Sequence, residues 1–225
     1  MAKKTAAAKT DPGTMSVETT EAGQGNLKLW RQVDRTPPAM TKPVSYGSRK
    51  FTAVDPQWQL RVFTALWGPY GNMWGLRDLS YTVHAVEDGR AVVILTAEFF
   101  YPLGEKRASF PIVNDEELKP GQDTMKKLVT NTRSKALSWL GASADVYMGR
   151  FDSVAFVESS AADFAEGDAA VSSMWNDIKE CGDAASLRAL SAKVDRMIAD
   201  GTMVDPAKVQ VVREKITEKE QELLA

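Results

Sequence analysis

The chain has 225 residues, of which 44% are hydrophobic, and a net charge of −2, enough for one real core with appendages. It has no apolar run near the ~20 residues that a membrane-spanning helix needs, so no membrane partner is expected. A single cysteine, Cys181, rules out an intramolecular disulfide and fits a reducing cytosol, while a single histidine, His84, leaves no Cys/His metal set and no nucleophile triad that avoids His84.

Residues 1–26 are rich in Ala, Thr, Gly and Lys and carry no aromatic side chain. They read as a disordered segment, and without a long apolar stretch they do not read as a secretory signal. Residues 27–55 follow as an extended segment, because Pro37, Pro38 and Pro43 prevent a long helix. There Arg31, Arg35, Lys42, Arg49 and Lys50 alternate with Trp30, Tyr46 and Phe51. Cations interleaved with rings suit a single nucleic-acid strand, since the cations hold phosphates while the rings stack on bases. The competing reading is that the rings only anchor the loop to the core.

Asp55 and Pro56 form a cap followed by a proline at the first helical position, and a helix is expected from Gln57 to Trp67. The turn GPYGNMWG ends it. Three β-rich runs follow: Leu76 to Glu87, Arg90 to Tyr101 and Lys106 to Val113. In the first, Leu79, Tyr81, Val83 and Ala85 alternate on one face. Asp88-Gly89 is a strong hairpin signal, and short turns between sequential strands make an antiparallel meander. His84 falls on the polar face and is expected at the surface. Asp115, Glu116 and Glu117 read as a solvated acidic loop.

A helix is then expected from Asp123 to Leu140. At 100° per residue, Met125, Leu128, Val129, Thr132, Ala136, Trp139 and Leu140 share one arc. Lys126 and Arg133 lie along one edge of it, Lys135 lies near the other, and Lys127 is on the back. The pattern fits a helix covering the sheet, its cations either solvated or offered to a phosphate backbone. Residues 144–152 read as a short extended closure and 153–170 as an acidic linker. Two helical stretches are expected after it: Val171 to Asp200 with a break near Gly182, and Pro206 to Leu224. The fold class is therefore α+β, an antiparallel meander of three or more strands packed against a long helix, with a helical C-terminal tail.

Charge divides along the same line. Residues 27–150 carry 17 basic and 12 acidic side chains, whereas 151–225 carry 8 and 15. A P-loop, a dinucleotide-binding glycine motif and a nucleophile elbow are all missing from the sequence. A basic, aromatic-bearing core without catalytic machinery points to a binding protein rather than an enzyme, and calls for no cofactor and no metal.

Two stretches carry a resemblance: RKFTAVDPQWQLRVFTALWGPYGNMWGLRD and DTMKKLVTNTRSKALSWLGASADVYMGRFD. Over Leu27 to Asp152 the order of helix, glycine- and tryptophan-bearing turn, meander and helix resembles the single-strand annealing proteins of the Rad-fifty-two-like superfamily, phage recombinases among them. The resemblance implies an oligomeric ring whose positively charged groove holds single-stranded DNA by its backbone, bases outward, so that complementary strands pair without ATP during phage homologous recombination. It implies DNA-binding roles for Arg133 and Lys135 on the helix and for Arg49 and Lys50 ahead of the first helix. Lys126 and Lys127 join them as cations of the same helix. Ser134 and Ser138 stand where the family pattern has further basic residues. The setting implied is the cytosol of a bacterial host. For the acidic tail three readings stand: a docking module for a host single-strand-binding protein or a phage exonuclease, an acidic competitor for the groove, or a solvated appendage. A protein that only coats and protects single-stranded DNA or RNA is the alternative function.

Overall fold

The computed structural model describes residues 27–86, 89–119, 123–199, 202–203 and 205–224. The segment 1–26, the Asp88 half of the expected hairpin turn and the side chain of Tyr46 lie outside them.

The architecture is α+β. Helix α1 (Lys28–Val33) and a 3-10 turn (Pro38–Met40) lead into a two-stranded ribbon, β1 (Thr41–Tyr46) and β2 (Arg49–Val54). The segment expected to be extended thus contains a helix and an antiparallel hairpin. Its prolines stop only a long helix, and Gly47 supplies the positive φ of 59° that the tight turn requires. Helix α2 (Pro56–Trp67) starts where Asp55 accepts a hydrogen bond from the Gln57 N–H at 2.7 Å. It buries Trp58, Gln59, Val62 and Phe63.

The meander is β3 (Gly75–Ala85), β4 (Ala91–Leu103) and β5 (Lys106–Glu117), in that order and antiparallel. Strand β5 runs through Asp115, Glu116 and Glu117, which pair with Ile94, Val93 and Val92, so the expected acidic loop is strand. The apolar run of β4 supplies that pairing partner, and Glu116 finds a cation in Lys127. On β3 the expected alternation is not matched by burial: Leu79, Tyr81 and Val83 are all exposed. Tyr81 and Val83 pair with buried Leu95 and Val93 and so lie on the core side of the sheet. The covering helix lies across β4 and β5, which leaves β3 bare.

That helix is α3 (Thr124–Trp139), capped by Asp123, whose carboxylate accepts from the Lys126 N–H. It buries Thr124, Leu128, Thr132, Ala136 and Leu137, whereas Met125 and Trp139, assigned to the packed arc by periodicity, are exposed. The buried arc is rotated toward Leu137, which joins the core that α2 and the meander also line. Behind it an aromatic cluster fills the core: Phe63, Trp67, Trp74, Phe99, Tyr101 and Phe110 lie ring to ring at 4.5–6.3 Å. The Trp74 indole donates to the Gly68 carbonyl at 2.9 Å, which locks the glycine-rich turn.

Residues 144–152 are helical turns, not extended: α4 (Ala144–Tyr147) and a 3-10 turn (Arg150–Asp152). The chain reverses at Gly141 (φ +97°), where a β-carbon would lie 2.5 Å from the Trp30 ring, so only glycine lets α1 seal the end of α3.

The stretch 153–170, expected as a linker, belongs to one helix, α5 (Val154–Glu180). Ser153 caps it, no proline interrupts it, and Ser160, Phe164 and Gly167 are buried at helical spacing. Small and acidic residues on its outer face gave it the composition of a linker. Helices α6 (Ala184–Ala199) and α7 (Pro206–Leu224) follow, and a second core gathers Met174, Ile178, Leu187, Leu190, Val194, Val212 and Ile216. Helix α7 also lies on α2. Its Ala207 belongs to the first core, and Arg61 reaches Asp205 at 3.3 Å.

Candidate nucleic-acid interface

The ribbon sets the geometry. Cross-strand partners share a face, so Lys42 and Val44 go with Ala53, Phe51 and Arg49, and Ser45 goes with Lys50 on the other. Near the turn, Arg49 and Lys50 stand in solvent, and neither side chain has an ion pair or hydrogen bond among the described residues. Beside them Phe51 is 51% exposed. A ring left that far in water is not packed down as a loop anchor; Arg49 lies on its face of the ribbon and Lys50 on the other. Trp30 is the anchoring case, packed against Gly141.

A cleft of about 410 Å³ runs along β2. Five consecutive residues of β2 line it and none of β1, so its wall is the free edge of the strand. The facing walls are the start of α2 with Gln59, the outward side of α3 with Asn131 and Ser134, and the turns carrying Tyr147 and Asp152. Lys50 reaches it from β2.

The six cations singled out by sequence fall into three groups. Arg49, Lys50 and Lys126 are exposed and unpaired among the described residues. Lys127 and Lys135 are engaged at the meander: Lys127 Nζ meets Glu116 Oε1 at 2.6 Å, and Lys135 Nζ donates to the Val113 carbonyl at 2.8 Å. Both contacts sit at a surface where water and counter-ions compete, so a phosphate can exchange into them at small cost. Arg133 differs. Its guanidinium lies over the Tyr70 ring at 5.7 Å and donates to the Pro56 carbonyl at 3.2 Å, with its Nε buried and unpartnered. Burial holds its pKa below the usual arginine value. It ties α3 to α2 and the turn after it, on a side of α3 away from Asn131 and Ser134. The cations of α3 thus differ: Lys126 is free among the described residues, Lys127 and Lys135 are engaged at the meander, and Arg133 is a structural tie.

Arg35 is taken by the C-terminal region. It meets Asp163 at 2.6 Å and lies over the Phe164 ring. On the opposite sheet face Arg77 and Arg107 flank Phe100 at 5.6 and 5.0 Å. Sequence reasoning missed Gln59, Asn131, Ser134 and Tyr147. Asn131 and Ser134 are three apart on α3, a pair that helical spacing places together on its polar side. Tyr147 carried no such signal, because its position depends on Ser143, a non-glycine residue at φ 56°. Burial pushes the Tyr147 phenol up, and the Gln59 amide beside it opposes that shift.

Among the described residues no group of three His, Cys, Asp or Glu side chains is placed to hold a metal ion, and no helix is long and apolar enough to cross a membrane. Comparison with protein-family models, curated proteins and solved structures finds no match to the chain.

Proposed function

We propose that this chain binds single-stranded DNA along the β2 edge and the polar side of α3, and anneals complementary strands without ATP in phage homologous recombination. One observation carries the reading: unpaired Lys50 and exposed Phe51 line a cleft walled by a strand edge and a helix, and unpaired Arg49 precedes them on β2. Free cations beside a bare ring are what a strand needs for phosphate contact and base stacking together. The order of ribbon, helix, meander and covering helix supports the likeness to the annealing superfamily.

Assembly into a ring belongs to the same proposal. Strand β3 has one unpaired edge and three exposed apolar side chains, Leu79, Tyr81 and Val83, which a neighbouring subunit would cover. The proposed setting is the cytosol of a bacterial host. The acidic tail is the surface for a host single-strand-binding protein or a phage exonuclease.

The test mixes the full chain with two complementary dye-labelled oligonucleotides, without ATP. Pairing faster than the spontaneous rate supports annealing, and slower pairing identifies a coating protein that protects DNA or RNA. Arg49→Ala with Lys50→Ala should cut both affinity and annealing at least several-fold while the circular dichroism spectrum is unchanged. Unaltered binding by that variant sinks the β2 edge as the site.

A further inference from the structure

The cleft beside β2 has the chemistry of a base site rather than of a phosphate site. Lys50 and Asp152 are its only charged lining residues, and their charges offset. Its remaining polar groups are neutral amides and hydroxyls, among them Gln59, Asn131 and Ser134, set between aliphatic and aromatic walls. A phosphate needs several cations or N–H donors, and here it would meet a carboxylate and apolar surface.

Gln59 is the sharpest feature. It is 1% exposed, and its Oε1 accepts no hydrogen bond among the described residues. Its Nε2 donates to the Ser143 hydroxyl at 3.4 Å, a long contact. A buried amide oxygen without a donor costs about 1–3 kcal/mol, so a ligand bringing an N–H gains by entering. Tyr147 stands at the mouth, 56% exposed, with its hydroxyl beside the Gln59 amide. At about 410 Å³ the cleft lies in the ordinary size range of small-ligand sites. A planar, uncharged group with donors and acceptors on its edge and π-faces above and below fits these walls. In a single strand that group is a nucleobase.

We propose that the cleft takes one base per subunit, turned out of the bound strand. Gln59 and Asn131 face its hydrogen-bonding edge, Tyr147 lies against its ring, and Lys50 holds the adjoining phosphate. This rests on the reading that the chain binds single strands. A base held there is withdrawn from pairing, so each subunit pins the strand at one nucleotide and leaves its neighbours free.

The test compares a thymine-cytosine oligonucleotide with a strand of equal length built wholly of abasic units, by fluorescence anisotropy on the full chain. The unsubstituted protein should bind the base-bearing strand roughly ten-fold more tightly, the size of one stacked and hydrogen-bonded base. Tyr147→Ala and Asn131→Ala, both at exposed side chains, should each bring that ratio toward one. Lys50→Ala should weaken both strands by a similar factor and keep the ratio. A ratio of one in the unsubstituted protein, or a ratio untouched by Tyr147→Ala and Asn131→Ala, overturns the base site while leaving single-strand binding intact. Failure to bind either strand overturns both.

Discussion

The molecule has two hydrophobic cores that share one helix, and they are built from different side chains. The first packs Trp58, Phe63, Trp74 and Phe99 among aliphatic residues of α2, α3 and the meander. The second, between α5, α6 and α7, is aliphatic and sulfur-bearing, with no ring among its buried members. The first depends on contacts between residues far apart in sequence, and rings with preferred mutual geometry hold them in place. The second closes helices that follow one another along the chain, for which generic burial is enough. The cleft, with Lys50 and Gln59, lies beside the ring-filled core. Helix α7 serves both, with Ala207 in the first and Val212 and Ile216 in the second. The acidic C-terminal region is therefore fastened to the basic core by a shared helix, and a chain cut at Asp152 would lose part of the cover of α2. Charge-neutralising substitutions on α7 test its influence on DNA more cleanly than truncation does.

The largest expected effect breaks one core and watches the other. Trp74→Ala should cost about 3–5 kcal/mol, because Trp74 is fully buried among rings and also donates to Gly68. Leu190→Ala in the second core should cost about 2–4 kcal/mol. Five of the six tryptophans precede residue 140, so fluorescence mostly reports the first core while circular dichroism reports both. In urea, each substitution should move both midpoints together. Leu190→Ala shifting only the dichroism would show that α7 does not couple the cores.

A smaller substitution tests the shared helix itself. Ala207→Leu adds volume where α7 meets the first core, and should destabilise by about 1–3 kcal/mol through overpacking. Leu223→Ala, at the far exposed end of α7, should change stability by less than about 0.5 kcal/mol. Equal effects at the two positions would mean that the start of α7 is not packed as a core element.

These two regions also differ in how much of them could be read from sequence. The meander, α2 and α3 were legible because periodicity, the Asp55-Pro56 start and short turns all agreed. The start of α6 followed from the break near Gly182, and α7 begins at Pro206 as expected. Helix α5 was misread at its first half, since acidic and small residues signal a linker by composition while burial of Phe164 and Ser160 depends on what lies opposite them. At the site, the free cations Arg49 and Lys50 were legible because the hairpin exposes them. The inward turn of Arg133 was not, because a helical wheel shows an edge but not the Tyr70 ring waiting beside it. Gln59 was hidden for the same reason: nothing local marks an amide that ends at the floor of a cleft.

The seam between α1 and α4 gives a pH prediction. Asp34 sits there with its pKa raised to about 6, chiefly by burial and then by the Asp145 carboxylate, with Arg35 and Arg150 opposing. Asp145 is raised too, by burial, although Thr36 donates to it through both N–H and hydroxyl at 2.7 and 2.8 Å. A raised carboxyl pKa means that the folded state takes up a proton before the unfolded chain does. Its contribution is fully present below about pH 4 and is lost as pH rises through about 6. The melting temperature of the unsubstituted protein should therefore fall between pH 5 and 7. Asp34→Asn should flatten that decline and be the more stable form at pH 7. A melting temperature that rises over the same interval would contradict the assignment.

A small effect on stability is the most informative about the interface. Lys127, open to solvent, and Glu116, half-buried on β5, join α3 to the sheet in a pair that water still reaches, so Glu116→Gln should change stability by less than about 1 kcal/mol. The carboxylate now holds the cation that a passing phosphate would use, one helical turn from Asn131. Removing its charge frees Lys127 and takes a repulsive group away from the strand, so affinity for single strands should rise two- to three-fold. The number of phosphates neutralised should rise with it, steepening the log-log salt dependence by roughly 0.7. Adding Lys127→Ala to Glu116→Gln should take that steepening away. If neither substitution moves the slope, the strand does not pass this side of α3, and Lys127 serves only to fasten the helix to the sheet.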